Sequence, residues 1–223
     1  MITISAWGLV AYALWQLNFL KPSFFKCCQY IFLDRASDIG RWIPPMADVY
    51  LLALIILSVL SIGAGQFGMT RKYRSMLLLR YQKKTAYIRQ TLKKAFSNAV
   101  LVTGIIGSIL LLSYTLITGR CVFTGSAEEM TLFLYLLLNL CLFFNLMAAV
   151  SLFITLAAND LIALMSIIGF SCFMLIADAA IHSISLLTWG SMVQLFWGSS
   201  TLSIGLMAVY GLIFYYVRHY DML

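Results

Sequence analysis

Long apolar stretches broken by short polar ones set the pattern of this chain. Apolar residues dominate 2–20, 48–69, 96–118, 130–158, 161–181 and 201–217. Each meets or exceeds the length of about 17–25 residues that an α-helix needs to cross bilayer hydrocarbon. None alternates with period two, as the strands of a membrane barrel do. In lipid the backbone must satisfy its own hydrogen bonds, which leaves helices for these runs. The pattern predicts an all-α integral membrane protein, a single transmembrane domain over 1–223 with six transmembrane helices. No Lys or Arg precedes the first run, so it reads as a retained span and not a cleaved signal.

Two stretches between the spans are not ordinary loops. Residues 70–95 contain nine basic residues and no acidic one. Within them Tyr81, Lys84, Ile88, Leu92 and Phe96 recur every three or four positions, and Lys83, Arg89, Gln90, Lys93 and Lys94 form the other face. That spacing predicts an amphipathic helix at the inner membrane surface, either an anchor on anionic membrane lipid or a docking element for a cytosolic partner. Residues 183–200 carry Trp189, Phe196 and Trp197 but are interrupted by Gly190 and Gly198. They are too apolar for an aqueous loop and too broken to span easily. The expected form is a re-entrant segment between spans five and six, with a plain seventh span as the alternative. A seventh span would put the carboxyl tail outside.

Composition agrees with the pattern. Hydrophobic residues make up 62% of the chain and charged ones 10%, with a mean hydropathy of +0.94. A soluble domain carries about 25% charged residues, so bilayer and not water is the solvent for most of this surface. The net charge of +7 does not point to nucleic acid, because the basic residues cluster beside the apolar runs. Counting Lys and Arg orients the chain. With the amino terminus inside, the inner segments hold ten, and the outer ones hold five (Lys21, Lys26, Arg35, Arg41 and Arg120). Both termini are therefore expected in the cytoplasm, with the chain multi-pass in a cell membrane.

Few residues suggest chemistry. Asp178 and His182, four apart near the outer end of span five, share a helical face. They are either a polar pair on a translocation path or groups shallow enough to reach headgroups, and two ligands do not make a metal site. Asp160 in the turn after span four reads as a helix cap. Glu128 and Glu129 read as first-turn acids favoured by the helix dipole. They lack the following Arg that an intramembrane protease using paired glutamates needs. Cys27 or Cys28 could pair with Cys121, or all three could be free, whereas Cys141 and Cys172 read as small hydrophobes. No catalytic residue and no metal site emerges, and nothing marks an enzyme.

Six spans, a basic amphipathic helix between the second and third, and a re-entrant segment before the sixth together resemble the membrane subunits of ABC transporters of the type-2 exporter class. The stretch Leu79-Arg80-Tyr81-Gln82-Lys83-Lys84-Thr85-Ala86-Tyr87-Ile88-Arg89 is similar to that family's coupling helix. It looks most like the version in small bacterial permeases of bacteriocin or antimicrobial-peptide export and immunity systems. Many family members begin with a cytosolic amphipathic helix, whereas this sequence enters its first apolar run almost at once. The resemblance implies a cytosolic ABC ATPase partner and a second membrane subunit, identical or related. Arg80, Tyr81, Lys83, Lys84, Tyr87, Ile88 and Arg89 would then grip the ATPase. Trp189, Phe196, Trp197, Asp178 and His182 would line a gate or path for hydrophobic or amphipathic cargo. The chain has no GxxxxGK[ST] loop, so ATP and Mg would be bound on the partner and no cofactor on this chain. The alternative is a non-transporting scaffold or sensor that recruits a partner through the basic helix.

Overall fold

The computed structural model describes residues 8, 10, 11, 24, 53–62, 84–119, 127–157, 162–170 and 192–219. These are helical except for Gly119, and no strand occurs among them. Five helices are numbered here in chain order: α1 (Ala53–Ile62), α2 (Lys84–Thr118), α3 (Ala127–Ala157), α4 (162–170) and α5 (Met192–His219). Three of them contain stretches long and apolar enough to cross a membrane, Thr85–Thr118, Phe133–Ala157 and Gly198–His219.

The bounds of α3 lie close to the run expected at 130–158. Its start at Ala127 puts Glu128 and Glu129 in the first turn, where the helix dipole favours carboxylates. The end of α2 is also fixed locally. Gly119 takes a left-handed φ of 65°, and its N–H donates to the Thr115 carbonyl at 2.9 Å, closing the helix with a C-terminal cap.

At two of the expected boundaries the helix runs on without a break. Residues 84–95 do not form a separate surface helix ending before a span at 96. They are the first three turns of α2, which runs unbroken for 35 residues. That length is about 52 Å at 1.5 Å per residue, against about 30 Å of hydrocarbon. The helix is therefore longer than a single crossing needs. The physical reason is that Lys94-Ala95-Phe96-Ser97-Asn98 contains neither Gly nor Pro. Polarity changes there, but nothing stops the helix. Likewise, Gly198 does not end a re-entrant element before a last span at 201, because 192–200 are already part of α5. Hydroxyls around this glycine bond back onto the helix: Ser200 donates to the Phe196 carbonyl at 3.0 Å and Ser203 to that of Ser199 at 2.8 Å. Such bonds satisfy Ser and Thr within apolar helices. Residues 183–191, the remainder of the expected re-entrant segment, lie outside the described residues. So do span one apart from Gly8, Val10 and Ala11, the ends of span two, residues 70–83 of the basic segment, and 171–181 of span five.

α3 is the central helix. In the apolar windows, 56% of α3 is buried, against 33% of α2 and 17% of α5. The largest cluster centres on Phe143 and Phe144 and gathers Leu54, Ile55, Val59 and Ile62 of α1, Ile106 and Leu110 of α2, Ile167 of α4 and Leu202 of α5. Close approach of α2 to α3 depends on Gly107, where an added Cβ would come within 3.0 Å of a Leu137 methyl. At one end of the bundle Phe24 sits edge-on to both Tyr114 and Phe133, at 5.3 and 5.0 Å between ring centres. At the other end a second cluster joins Tyr87, Ile88 and Leu92 of α2 to Ala149 and Leu152 of α3 and to Ile213 and Val217 of α5.

These contacts fix directions. The start of α2 meets the ends of both α3 and α5, so α2 is antiparallel to them, and α3 and α5 run parallel. The pairs Leu146–Gly205, Asn145–Tyr210 and Phe153–Tyr216 keep that sense along the helices.

Candidate functional site

The basic end of the bundle is assembled from the start of α2 and the ends of α3 and α5. Along α2 the apolar positions Ile88, Leu92, Ala95 and Ala99 form one stripe, each 5% exposed or less. Tyr87 and Thr91 flank the stripe and are also buried, and Thr91 Oγ1 donates to the Tyr87 carbonyl at 3.0 Å. Phe96, expected on the same stripe, is 47% exposed and faces away, because Ala95 takes its place against the core.

Tyr87 and Ile88 were expected to anchor a cytosolic partner, but they are packed against the chain's own α3 and α5. The apolar stripe is thus spent on holding α2 in the bundle. Of the expected docking residues, Arg89 is exposed with Gln90, Lys93 and Lys94 beside it. Lys84 opens α2. Arg80, Tyr81 and Lys83 lie outside the described residues.

Arg89 and Lys93, four residues apart, stand on one flank of the stripe. With Thr85, Ala86, Gln90 and Phe214 of α5 they line a half-open groove of about 550 Å³. That volume falls within the range of small-molecule sites, roughly 300–1,000 Å³. Lys94 is not part of its lining. At the same end Arg218 and His219 finish α5. The His219 ring stacks on Tyr215 at 4.3 Å, with Nδ1 3.0 Å from the Tyr215 carbonyl oxygen. Among the described residues the only carboxylates are Glu128 and Glu129. They begin α3 and so belong to the opposite end of the bundle. Asp160 and Asp221 fall outside the described residues.

A polar contact unforeseen in the sequence lies deeper. Asn145 of α3, 1% exposed, donates through Nδ2 to the Tyr210 hydroxyl at 3.1 Å, and that hydroxyl lies 3.2 Å from Asn145 Oδ1. The amide and phenol can therefore pair in either sense, joining the two parallel helices. Asn139 is also fully buried on α3. An uncharged amide inside a 31-residue apolar helix was itself the signal, since such groups are costly in lipid unless paired across helices.

For the expected gate, Phe196 is 59% exposed on α5, and Trp197 is in the same helix. Trp189, Asp178 and His182 lie outside the described residues, as do Cys27, Cys28, Cys121 and Cys172. Cys141 is a free thiol. No group of three or more metal-ligating side chains occurs among the described residues. What the described residues define is a helical protein, with three helices among them long and apolar enough to cross a membrane. Comparison with family models, curated proteins and solved structures gives no match.

Proposed function

We propose that this chain is the membrane-spanning permease subunit of an ATP-driven transporter of the type-2 exporter class. It crosses a cell membrane six times with both termini in the cytoplasm. It pairs with a second membrane subunit and draws energy from a separate cytosolic ATPase that binds ATP and Mg. Its cargo is a hydrophobic or amphipathic peptide or a lipid-like molecule, since the predicted spans hold almost no charged residue for an ion.

The observation that carries this reading is the continuity of α2. Its basic start and its apolar span are one rigid helix, pinned at the base by Tyr87, Ile88 and Leu92. A push on Lys84 to Arg89 would reach the bundle core without passing through a hinge. This is what coupling ATP-driven closure to alternating access requires. With Tyr87 and Ile88 committed to the bundle, the ATPase would be gripped by Arg80, Tyr81, Lys83 and Lys84, with Arg89 at the rim.

The burial of Tyr87 and Ile88 also favours a second reading, a non-transporting scaffold or sensor that recruits its partner by charge alone. Mild-detergent purification of the tagged protein, followed by mass spectrometry and an ATPase assay, separates the two. The permease reading predicts a stoichiometric ATPase that is lost in the R80A/Y81A/K83A variant while the membrane protein stays folded. A partner without ATPase activity would support the scaffold. Recovery of the intact protein with no partner would contradict both.

A further inference from the structure

We propose that the groove between the start of α2 and Phe214 binds the phosphate-bearing headgroup of an anionic phospholipid, with the acyl chains lying along Phe96 and Val100. This rests on the chain being embedded in a membrane and holds whether or not it works with an ATPase. Three observations carry it.

The first is charge. Arg89 and Lys93 sit one helical turn apart in the same groove, with the Gln90 amide and Thr85 beside them as polar neighbours. No carboxylate of the described residues is at this end of the bundle, which leaves the pair open to an anionic ligand. Arg offers a planar fork of donors and Lys a point charge, a combination suited to a phosphate.

The second is continuity with the lipid-facing surface. Arg89, Lys93, Phe96 and Val100 follow one another at intervals of four, three and four and so share one flank of α2. Phe96 and Val100 are each 47% exposed. Further along, a Cβ at Gly104 would meet nothing within 4 Å. From Lys93 to Val100 the helix rises about 10 Å, about the step from headgroup to upper acyl chain. A soluble anion would have no use for that apolar track.

The third is position. The groove lies where the exposed side of α2 changes from charged to apolar, and Phe214 of α5 forms the facing wall. Basic pockets between helices at the inner interface are suited to anionic headgroups, each basic side chain strengthening binding about fivefold.

The test uses the full chain, purified and delipidated in detergent, with bound lipid counted by native mass spectrometry. The probes are short-chain phosphatidylglycerol and phosphatidylcholine at equal concentration. The proposal predicts preferential phosphatidylglycerol binding. R89Q and K93Q should each weaken it about fivefold, whereas K94Q, which removes the same charge about 100° around the helix, should change it less than twofold. F96S should lower binding of both lipids with the headgroup preference retained. Inorganic phosphate at the lipid's concentration should not displace it.

Equal binding of the two lipids would overturn the proposal. So would a K94Q loss as large as that of R89Q, which would reduce the effect to diffuse attraction, or full displacement by phosphate, which would make this a free-anion site. Unchanged lipid binding in R89Q and K93Q, with loss of a bound acidic protein, would assign the groove to that protein instead. All three Gln replacements are at exposed positions, and unfolding midpoints equal to the parent's confirm that binding and not folding is being read.

Discussion

The two hydrophobic clusters do different jobs with similar residues. The larger one, around Phe143 and Phe144, ties α1 to α5 around α3, and buried Ser58, Thr103 and Asn139 lie in the helices it joins. The smaller one at the basic end holds a segment that by composition belongs outside lipid. Tyr87, Ile88 and Leu92 alternate with Arg89, Gln90, Lys93 and Lys94, so only one stripe of α2 is available for packing there. The larger cluster defines the bundle. The smaller one attaches to it a charged extension whose other flanks stay open. The same helix therefore packs into the large cluster along 99–114 and keeps a charged flank exposed along 89–94.

The difference can be broken first at its strong end. Phe143 is fully buried, and Phe143→Ala should cost about 3–5 kcal/mol through lost burial and the cavity left behind. Unfolding in mixed micelles would register it, and a loss below about 1 kcal/mol would mean that α3 is not the centre of the fold. At the weak end Ile88→Ala removes a fully buried side chain from a much smaller cluster. A loss of about 2–3 kcal/mol is expected, accompanied by faster amide exchange over 84–95 than over 99–114. Equal exchange in the two parts would deny that the small cluster is what docks the extension. Between the clusters, Tyr210→Phe should cost only about 0.6–1.7 kcal/mol, the range of interhelical hydrogen bonds in membranes. A still smaller effect from Asn145→Leu would identify the pair as dispensable for stability.

Much of this architecture was legible because the signals were long. The apolar run 130–158, flanked by Glu128 and Glu129 on one side and Asn159-Asp160 on the other, lies within a few residues of the bounds of α3. The basic segment was legible as special but not as continuous with its span. A change of polarity at 95/96 looks like a boundary, and only the missing Gly or Pro shows that the helix carries on. Gly198 misled in the opposite direction, since a glycine inside a membrane helix breaks nothing when neighbouring hydroxyls bond back to the backbone. The apolar stripe over 81–96 was visible, but not its destination. A stripe that fits a partner's groove has the same spacing as one that fits the chain's own α3 and α5, and only the packing of Tyr87 and Ile88 decides. Arg89 and Lys93 were read as part of a general basic face. Their shared groove with Phe214 could not be seen, because it depends on how α5 lies against α2.

The most direct test of the account concerns sidedness, since the functional reading requires the start of α2 and the end of α5 to share the cytoplasmic face. On a background with the five native cysteines replaced, Lys94→Cys and Arg218→Cys would each be labelled with a membrane-impermeant maleimide in sealed right-side-out cells and in inside-out vesicles. Both sites are exposed. The account predicts that both label in inside-out vesicles and neither in intact cells. Labelling of the two from opposite faces would contradict the antiparallel packing of α2 and α5, and labelling of both from outside would remove the basic end from the reach of any cytosolic ATPase.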